Sequence, residues 1–128
     1  MSELKKILYA EDEPDVQTVV ELTIEAMSDY RLKVCENGKR LLECVEEYSP
    51  DLILLDVMMP EMDGPTTFKN LKLNENTKNI PVIFMTAKAQ IHEVEIFKET
   101  GALGVITKPF DPMELCDEIQ RIWNANNE

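Results

Sequence analysis

Asp56 closes the apolar run Leu52-Ile53-Leu54-Leu55 and precedes Val57-Met58-Met59-Pro60, with Asp63-Gly64 a little further on. Glu11 and Asp12 follow an earlier apolar run, Thr86 follows another, and Lys108-Pro109 follows a fourth. Gathered in one crevice, three carboxylates repel: two unit charges about 4 Å apart cost on the order of 4 kcal/mol at an effective dielectric of about 20. Such a cluster needs a counter-charge, or a proton on one of the acids. Oxygen ligands without His or Cys suit a hard cation. Mg²⁺ fits best, because it takes one or two carboxylates and completes its shell with water and phosphate oxygens. The Lys108 ammonium and the Thr86 hydroxyl complete a receptor for a phosphoryl group. A carboxylate in that company can attack phosphorus and form an aspartyl-phosphate. Asp56 is the expected nucleophile, because it ends the most apolar run and a loop follows it. Asp12 is the expected main metal ligand.

Each signal alone has a plainer reading. A lone Asp after a strand is most often a turn or helix cap. Glu11-Asp12-Glu13-Pro14 alone reads as a helix start, with acids favoured by the helix dipole. Four such signals at four strand ends are harder to explain that way.

The elements that must position these residues alternate along the chain. Strand candidates are Ile7–Ala10, Leu32–Cys35, Leu52–Leu55, Val82–Met85 and Val105–Thr107. The nearly continuous apolar character of the first, third and fourth predicts strands buried on both faces, as in a parallel sheet. Amphipathic stripes separate them and predict five helices packed on the core. They are Val16, Val19, Val20, Thr23 and Met27; Leu41, Cys44, Val45 and Tyr48; Phe68 and Leu71 after Pro65; Ile91, Val94 and Phe97; and Leu115, Cys116, Ile119, Ile122 and Trp123. Asp111-Pro112 has the layout of an N-cap followed by proline at the first helical position. Asn37-Gly38, Ser49-Pro50 and Asp63-Gly64 punctuate turns. The pattern is a β-α unit repeated five times. Right-handed crossovers then place helices on both faces of one open, doubly wound α/β sheet. The site of such a sheet lies beyond the carboxyl ends of its strands. Glu11, Asp12, Asp56, Thr86 and Lys108 all fall there, so residues distant in sequence are expected to converge.

Composition narrows the function classes. The chain has 128 residues, enough for one domain with a sizeable core. It carries 13 Lys and Arg against 25 Asp and Glu, a formal net charge of −12. No basic surplus exists to release counterions from a phosphate backbone, so direct nucleic-acid binding is not expected. No run approaches the length of a membrane span, and the N-terminus lacks a signal-peptide layout. Cys35, Cys44 and Cys116 are widely spaced, and His92 is the single histidine, which disfavours a zinc site. The three thiols read as small packing residues and fit a reducing cytoplasm.

Taken together, these motifs resemble a response-regulator receiver domain of two-component signalling, over essentially the full length. The resemblance rests on Ile7-Leu8-Tyr9-Ala10-Glu11-Asp12-Glu13, Leu54-Leu55-Asp56-Val57-Met58-Met59-Pro60 with Asp63-Gly64, Phe84-Met85-Thr86-Ala87, and Lys108-Pro109-Phe110. It implies a flavodoxin-like (βα)5 fold with five parallel strands in the order 2-1-3-4-5. It implies that Asp56 takes a phosphoryl group from a partner histidine kinase or histidine phosphotransfer protein. Mg²⁺ is then held by Asp12, Asp56 and the Met58 backbone carbonyl, with Glu11 acting through water. Lys108 touches a phosphoryl oxygen, and Thr86 turns inward to bond the phosphate. The Lys108-Pro109 bond is expected to be cis. A downstream protein target reads the surface of the fourth helix, fifth strand and fifth helix. The domain is expected to fill residues 1–128 without an output domain, in the cytoplasm and outside any membrane.

Two positions depart from the commonest family pattern. Glu11 stands where Asp is more usual, and Val105 stands where many receivers carry an aromatic switch residue. With Val105, the switch falls to Thr86 and the segment after it, or the output surface lies elsewhere. Met58 places an apolar side chain beside the expected phosphoryl site. The alternative from another class is an Mg²⁺-dependent phosphohydrolase working through an aspartyl-phosphate. Enzymes of the haloacid-dehalogenase type carry a second Asp two residues after the nucleophile, where this chain has Met58. A flavodoxin-like cofactor binder would need a Gly- or Ser/Thr-rich phosphate loop after the first strand, and none follows it.

Overall fold

A computed structural model describes residues 3–86, 99, 101–108 and 110–126. The helical stripe through Ile91, Val94 and Phe97, and the isomer of the Lys108-Pro109 bond, lie outside the described residues. Within them the order is β1 (Lys6–Ala10), α1 (Pro14–Met27), β2 (Arg31–Cys35), α2 (Gly38–Tyr48), β3 (Leu52–Asp56), α3 (Gly64–Leu73), β4 (Val82–Thr86), β5 (Gly104–Thr107) and α4 (Pro112–Asn126). All strands are parallel, in the order β2-β1-β3-β4-β5. This is the doubly wound arrangement and strand order expected from the sequence.

Every residue of β3 and of β4 is buried. Their side chains point alternately to the two faces of the sheet. Ile7, Tyr9, Leu52, Leu54, Ile83, Met85 and Ile106 pack with Val20 and Ile24 of α1 and with the apolar stripe of α4. Leu8, Ala10, Ile53, Leu55, Val82 and Phe84 pack with Leu41 and Val45 of α2 and with Phe68 and Leu71 of α3. Continuous apolar strands and two helix layers are two views of the same burial.

The stripe on α1 is corrected by one helical step. Val20, Thr23 and Ile24 are buried, whereas Val19 is 40% and Met27 44% exposed. The true inward face runs through Ile24, which the spacing of the valines disguises. Cys35 and Cys116 pack in the core as expected, but Cys44 is only half-buried and its sulfur lies beside that of Cys35.

Two turn signals prove to be helix starts. Asn37 caps α2, its Oδ1 accepting the Arg40 N–H at 2.9 Å. Asp63 caps α3 in the same way, accepting from the Thr66 N–H at 2.8 Å. In both cases a short polar side chain satisfies an amide that the first turn leaves without a partner. Asp111 does this ahead of α4, as its sequence layout implies, accepting from the Met113 N–H at 2.9 Å.

Candidate functional site

Parallel pairing fixes which residues meet. Ala10 pairs with Leu55 across β1 and β3, and Asp56 with Met85 across β3 and β4. Thr86 pairs with Thr107 across β4 and β5. Glu11, Asp12, Asp56, Thr86 and Lys108 therefore leave the sheet along one edge, as the alternation requires. The Lys108 N–H donates to the Thr86 carbonyl at 2.8 Å, which extends the β4–β5 ladder by one step and delivers the lysine to the crevice.

One carboxylate oxygen from each of Glu11, Asp12 and Asp56 lies within 4.8 Å of the others. Glu11 is fully buried, Asp56 nearly so, and Asp12 half-buried. Lys108 supplies the counter-charge. Its Nζ lies 2.7 Å from Glu11 Oε1 and 3.0 Å from Asp56 Oδ1. Both acids are in low-dielectric surroundings, where an unpaired charge is costly.

The balance is incomplete at Asp56. Burial pushes its carboxyl up to about 6; Lys108 pulls the other way and the neighbouring Glu11 pushes up again. Burial also works against the Lys108 ammonium, but its hydrogen bonds to Glu11 and Asp56 outweigh burial and hold its pKa above the ordinary value. A cation among the three carboxylates would offset the penalty on negative charge at Asp56. The donor set is all oxygen, so the residues present fit Mg²⁺.

Tyr9 is the participant that sequence reasoning missed. Its side chain is fully buried under the crevice, and its hydroxyl donates to Glu11 Oε1 at 3.0 Å. Burial pushes the phenol well above its ordinary pKa, and the adjacent Glu11 carboxylate adds to that shift. The group is therefore a fixed donor. The signal was a tyrosine inside a buried strand, because a buried phenol needs a partner. Glu11 Oε2 accepts a longer bond from the Glu13 N–H at 3.3 Å. The extra methylene of Glu11, relative to Asp, lets the carboxylate reach the lysine and the phenol together.

The segment after Asp56 is held by backbone. Val57 N–H donates to the Met85 carbonyl at 3.1 Å, and Gly64 N–H to the Val57 carbonyl at 2.9 Å. A Cβ on Gly64 would stand 2.4 Å from the Asp56 carbonyl oxygen. Only glycine lets α3 begin this close to the acidic strand end, which gives Asp63-Gly64 a packing reason beyond a turn. Met58 points its side chain outward and is 79% exposed. Val105 is half-buried and packs against the α2–α3 face of the core.

A doubly wound parallel sheet with an acidic triad and a lysine at its carboxyl edge defines a class of phosphoryl-handling α/β proteins. Comparison with known proteins narrows the class. Residues 7–120 match the family model described as the response regulator receiver domain, and the chain belongs to that family. It is 35% identical over 118 residues to the phosphate regulon transcriptional regulatory protein PhoB of Pseudomonas aeruginosa, covering 92% of this chain and 51% of that protein. It is 32% identical over 119 residues to the DNA-binding dual master transcriptional regulator RpaA of Synechocystis sp., covering 93% of this chain and 49% of that protein. The chain thus spans about half the length of these relatives. The solved structure of the chemotaxis response regulator CheY4 of Vibrio cholerae superposes with a TM-score of 0.84 at 26% identity, covering 94% of this chain and 99% of that one. Receiver domains serve two-component systems as phospho-accepting switches that interact with histidine kinases, and they bind Mg²⁺ at an acidic pocket. Among the described residues no helix is long and apolar enough to cross a membrane.

Proposed function

We propose that Asp56 is the phosphoryl acceptor and that this crevice is the switch. The observation that carries the reading is the Asp56 carboxylate, buried at the end of β3 and shared with Lys108 beside two further acids. An oxygen of Asp56 attacks the phosphorus of a phosphohistidine on a partner kinase or phosphotransfer protein. The O–P bond forms, the N–P bond breaks, and the imidazole leaves. Asp12, Asp56 and the Met58 backbone carbonyl would hold Mg²⁺, with Glu11 acting through water. When bound, the ion supplies positive charge against the phosphoryl oxygens. Lys108 already lies on the acceptor carboxylate and offers an ammonium to an incoming phosphoryl oxygen. The protein would catalyse its own phosphorylation and slow dephosphorylation rather than turn over a substrate.

Phosphorylation adds about −1.5 to −2 charge and three strong acceptor oxygens. The Thr86 hydroxyl, at the end of the neighbouring strand, is drawn to those oxygens. With Val105 in place of an aromatic residue, the response runs through Thr86 and the segment after it. A protein target reads the resulting surface. The experiment is labelling with acetyl phosphate and Mg²⁺, read by intact mass. One phosphoryl group per chain is expected, and none on Asp56→Asn. Equal labelling of the variant, or continuous turnover of a generic phosphomonoester, would overturn the reading.

A further inference from the structure

Cys35 ends β2 and Cys44 lies in the second turn of α2, nine residues on. Both are free thiols, and their sulfurs stand 3.3 Å apart. Forming a disulfide would need the pair to close by about 1.3 Å, because the bond is about 2.05 Å long. The two residues lie on elements already packed together. The two residues differ in exposure. Cys35 is 7% exposed, whereas Cys44 is half-buried, its sulfur also 3.6 Å from the Leu41 carbonyl. Burial pushes the Cys35 thiol up to about 12, so the more exposed Cys44 is the sulfur that meets a reagent first, and Cys35 acts only on a sulfur already beside it.

We propose that Cys35 and Cys44 form an exchange site that takes low-molecular-weight disulfides and stores them as an intramolecular bridge. The Cys44 sulfur attacks one sulfur of the reagent. A protein–reagent S–S bond forms, the reagent's own S–S bond breaks, and one small thiol leaves with a proton. The Cys35 sulfur then attacks Cys44, the mixed bond breaks, and the second small thiol leaves with the other proton. The protein loses two electrons and two protons, and the small disulfide gains both. Proximity drives the second step, because the attacking sulfur is already beside its target.

The site is built into the edge of the acidic crevice but does not depend on its function. The Cys35 carbonyl accepts the Glu11 N–H at 3.0 Å. Two residues on, Asn37 caps α2 and its Nδ2 donates to Glu61 Oε2 at 3.3 Å, in the segment after Asp56. A covalent tie across the start of α2 therefore stands one hydrogen bond from Glu11.

The test treats the folded, reduced chain with glutathione disulfide and reads intact mass and peptide maps, with folding checked by circular dichroism. Wild type and Cys116→Ser are expected to lose about 2 Da and to carry a Cys35–Cys44 bridge without an adduct. Cys35→Ser is expected to keep one glutathione on residue 44. Cys44→Ser is expected to leave Cys35 unmodified while folded. Cys35→Ala repeats the adduct measurement should the serine variant fail to fold. A wild-type protein that accumulates the mixed disulfide, stays reduced, or bridges through Cys116 would overturn the proposal.

Discussion

Replacing Asp56 by Asn is expected to stabilise the metal-free fold, and the gain is expected to depend on pH. The folded carboxyl sits at about 6 against an ordinary 3.8, chiefly because it is buried. The fold therefore holds this proton more tightly than the unfolded chain does. The stability linked to it is complete below about 3.8 and is lost as pH rises through about 6. Above that the ionised group carries a constant penalty of about 3 kcal/mol, from a difference of roughly two pKa units. Asn mimics the neutral acid and keeps an oxygen for Lys108 to bond. The variant should gain about 3 kcal/mol near pH 7.5 and about 1 kcal/mol near pH 4.5. The assay is urea unfolding of both proteins at the two pH values with chelator present. A variant that gains nothing at the higher pH, or gains equally at both, would refute the reasoning that burial of this charge dominates the crevice.

Lys108→Met leaves Glu11 fully buried and without its cation. The free energy of urea unfolding at neutral pH should fall by about 3 kcal/mol, as when one partner of a buried pair is removed; a loss below about 1 kcal/mol would show that Glu11 does not need the lysine. Gly64→Ala places a Cβ against the Asp56 carbonyl and is expected to cost about 1–3 kcal/mol. Its thermal midpoint and its rate of labelling by acetyl phosphate should fall together, since the shifted backbone is the acceptor's own. Tyr9→Phe removes one of the donors to Glu11 and should lower stability by about 1–3 kcal/mol, the worth of a hydrogen bond to a charged group. An unchanged melting curve would show that the phenol is not bonded to the carboxylate.

The sheet was legible because β3 and β4 are buried on both faces, so their sequences are apolar up to the last residue and stand out from the amphipathic segments between them. The same property placed Asp56, Thr86 and Lys108 at one edge, since parallel strands align their carboxyl ends. Helix faces were less legible where the apolar surface exceeds what the core covers. Val19 and Met27 fit a helical period yet are exposed, because Ile24 takes the inward position on α1. Asn37-Gly38 and Asp63-Gly64 looked like turns because a cap and a turn use the same residue types. What separates them is the amide three residues on, which no dipeptide reveals. The Tyr9 hydroxyl and the meeting of the Cys35 and Cys44 sulfurs were hidden for a different reason. Both depend on side-chain directions set by neighbouring elements rather than on local pattern.

The contact between Gly64 and the Asp56 carbonyl has a mechanical consequence. A strand end is ordinarily a cantilever, free to bend where its ladder stops. Here α3 is seated on the last peptide of β3, and the Gly64 amide is bonded to the peptide after it. The Asp56 backbone is thus held close from the α3 side. On the other flank the same strand end is held by the Val57–Met85 bond to β4, and beyond it Thr86 and Lys108 are joined by a backbone bond between β4 and β5. A group attached to Asp56 as proposed would therefore load a strand end anchored to both α3 and β4.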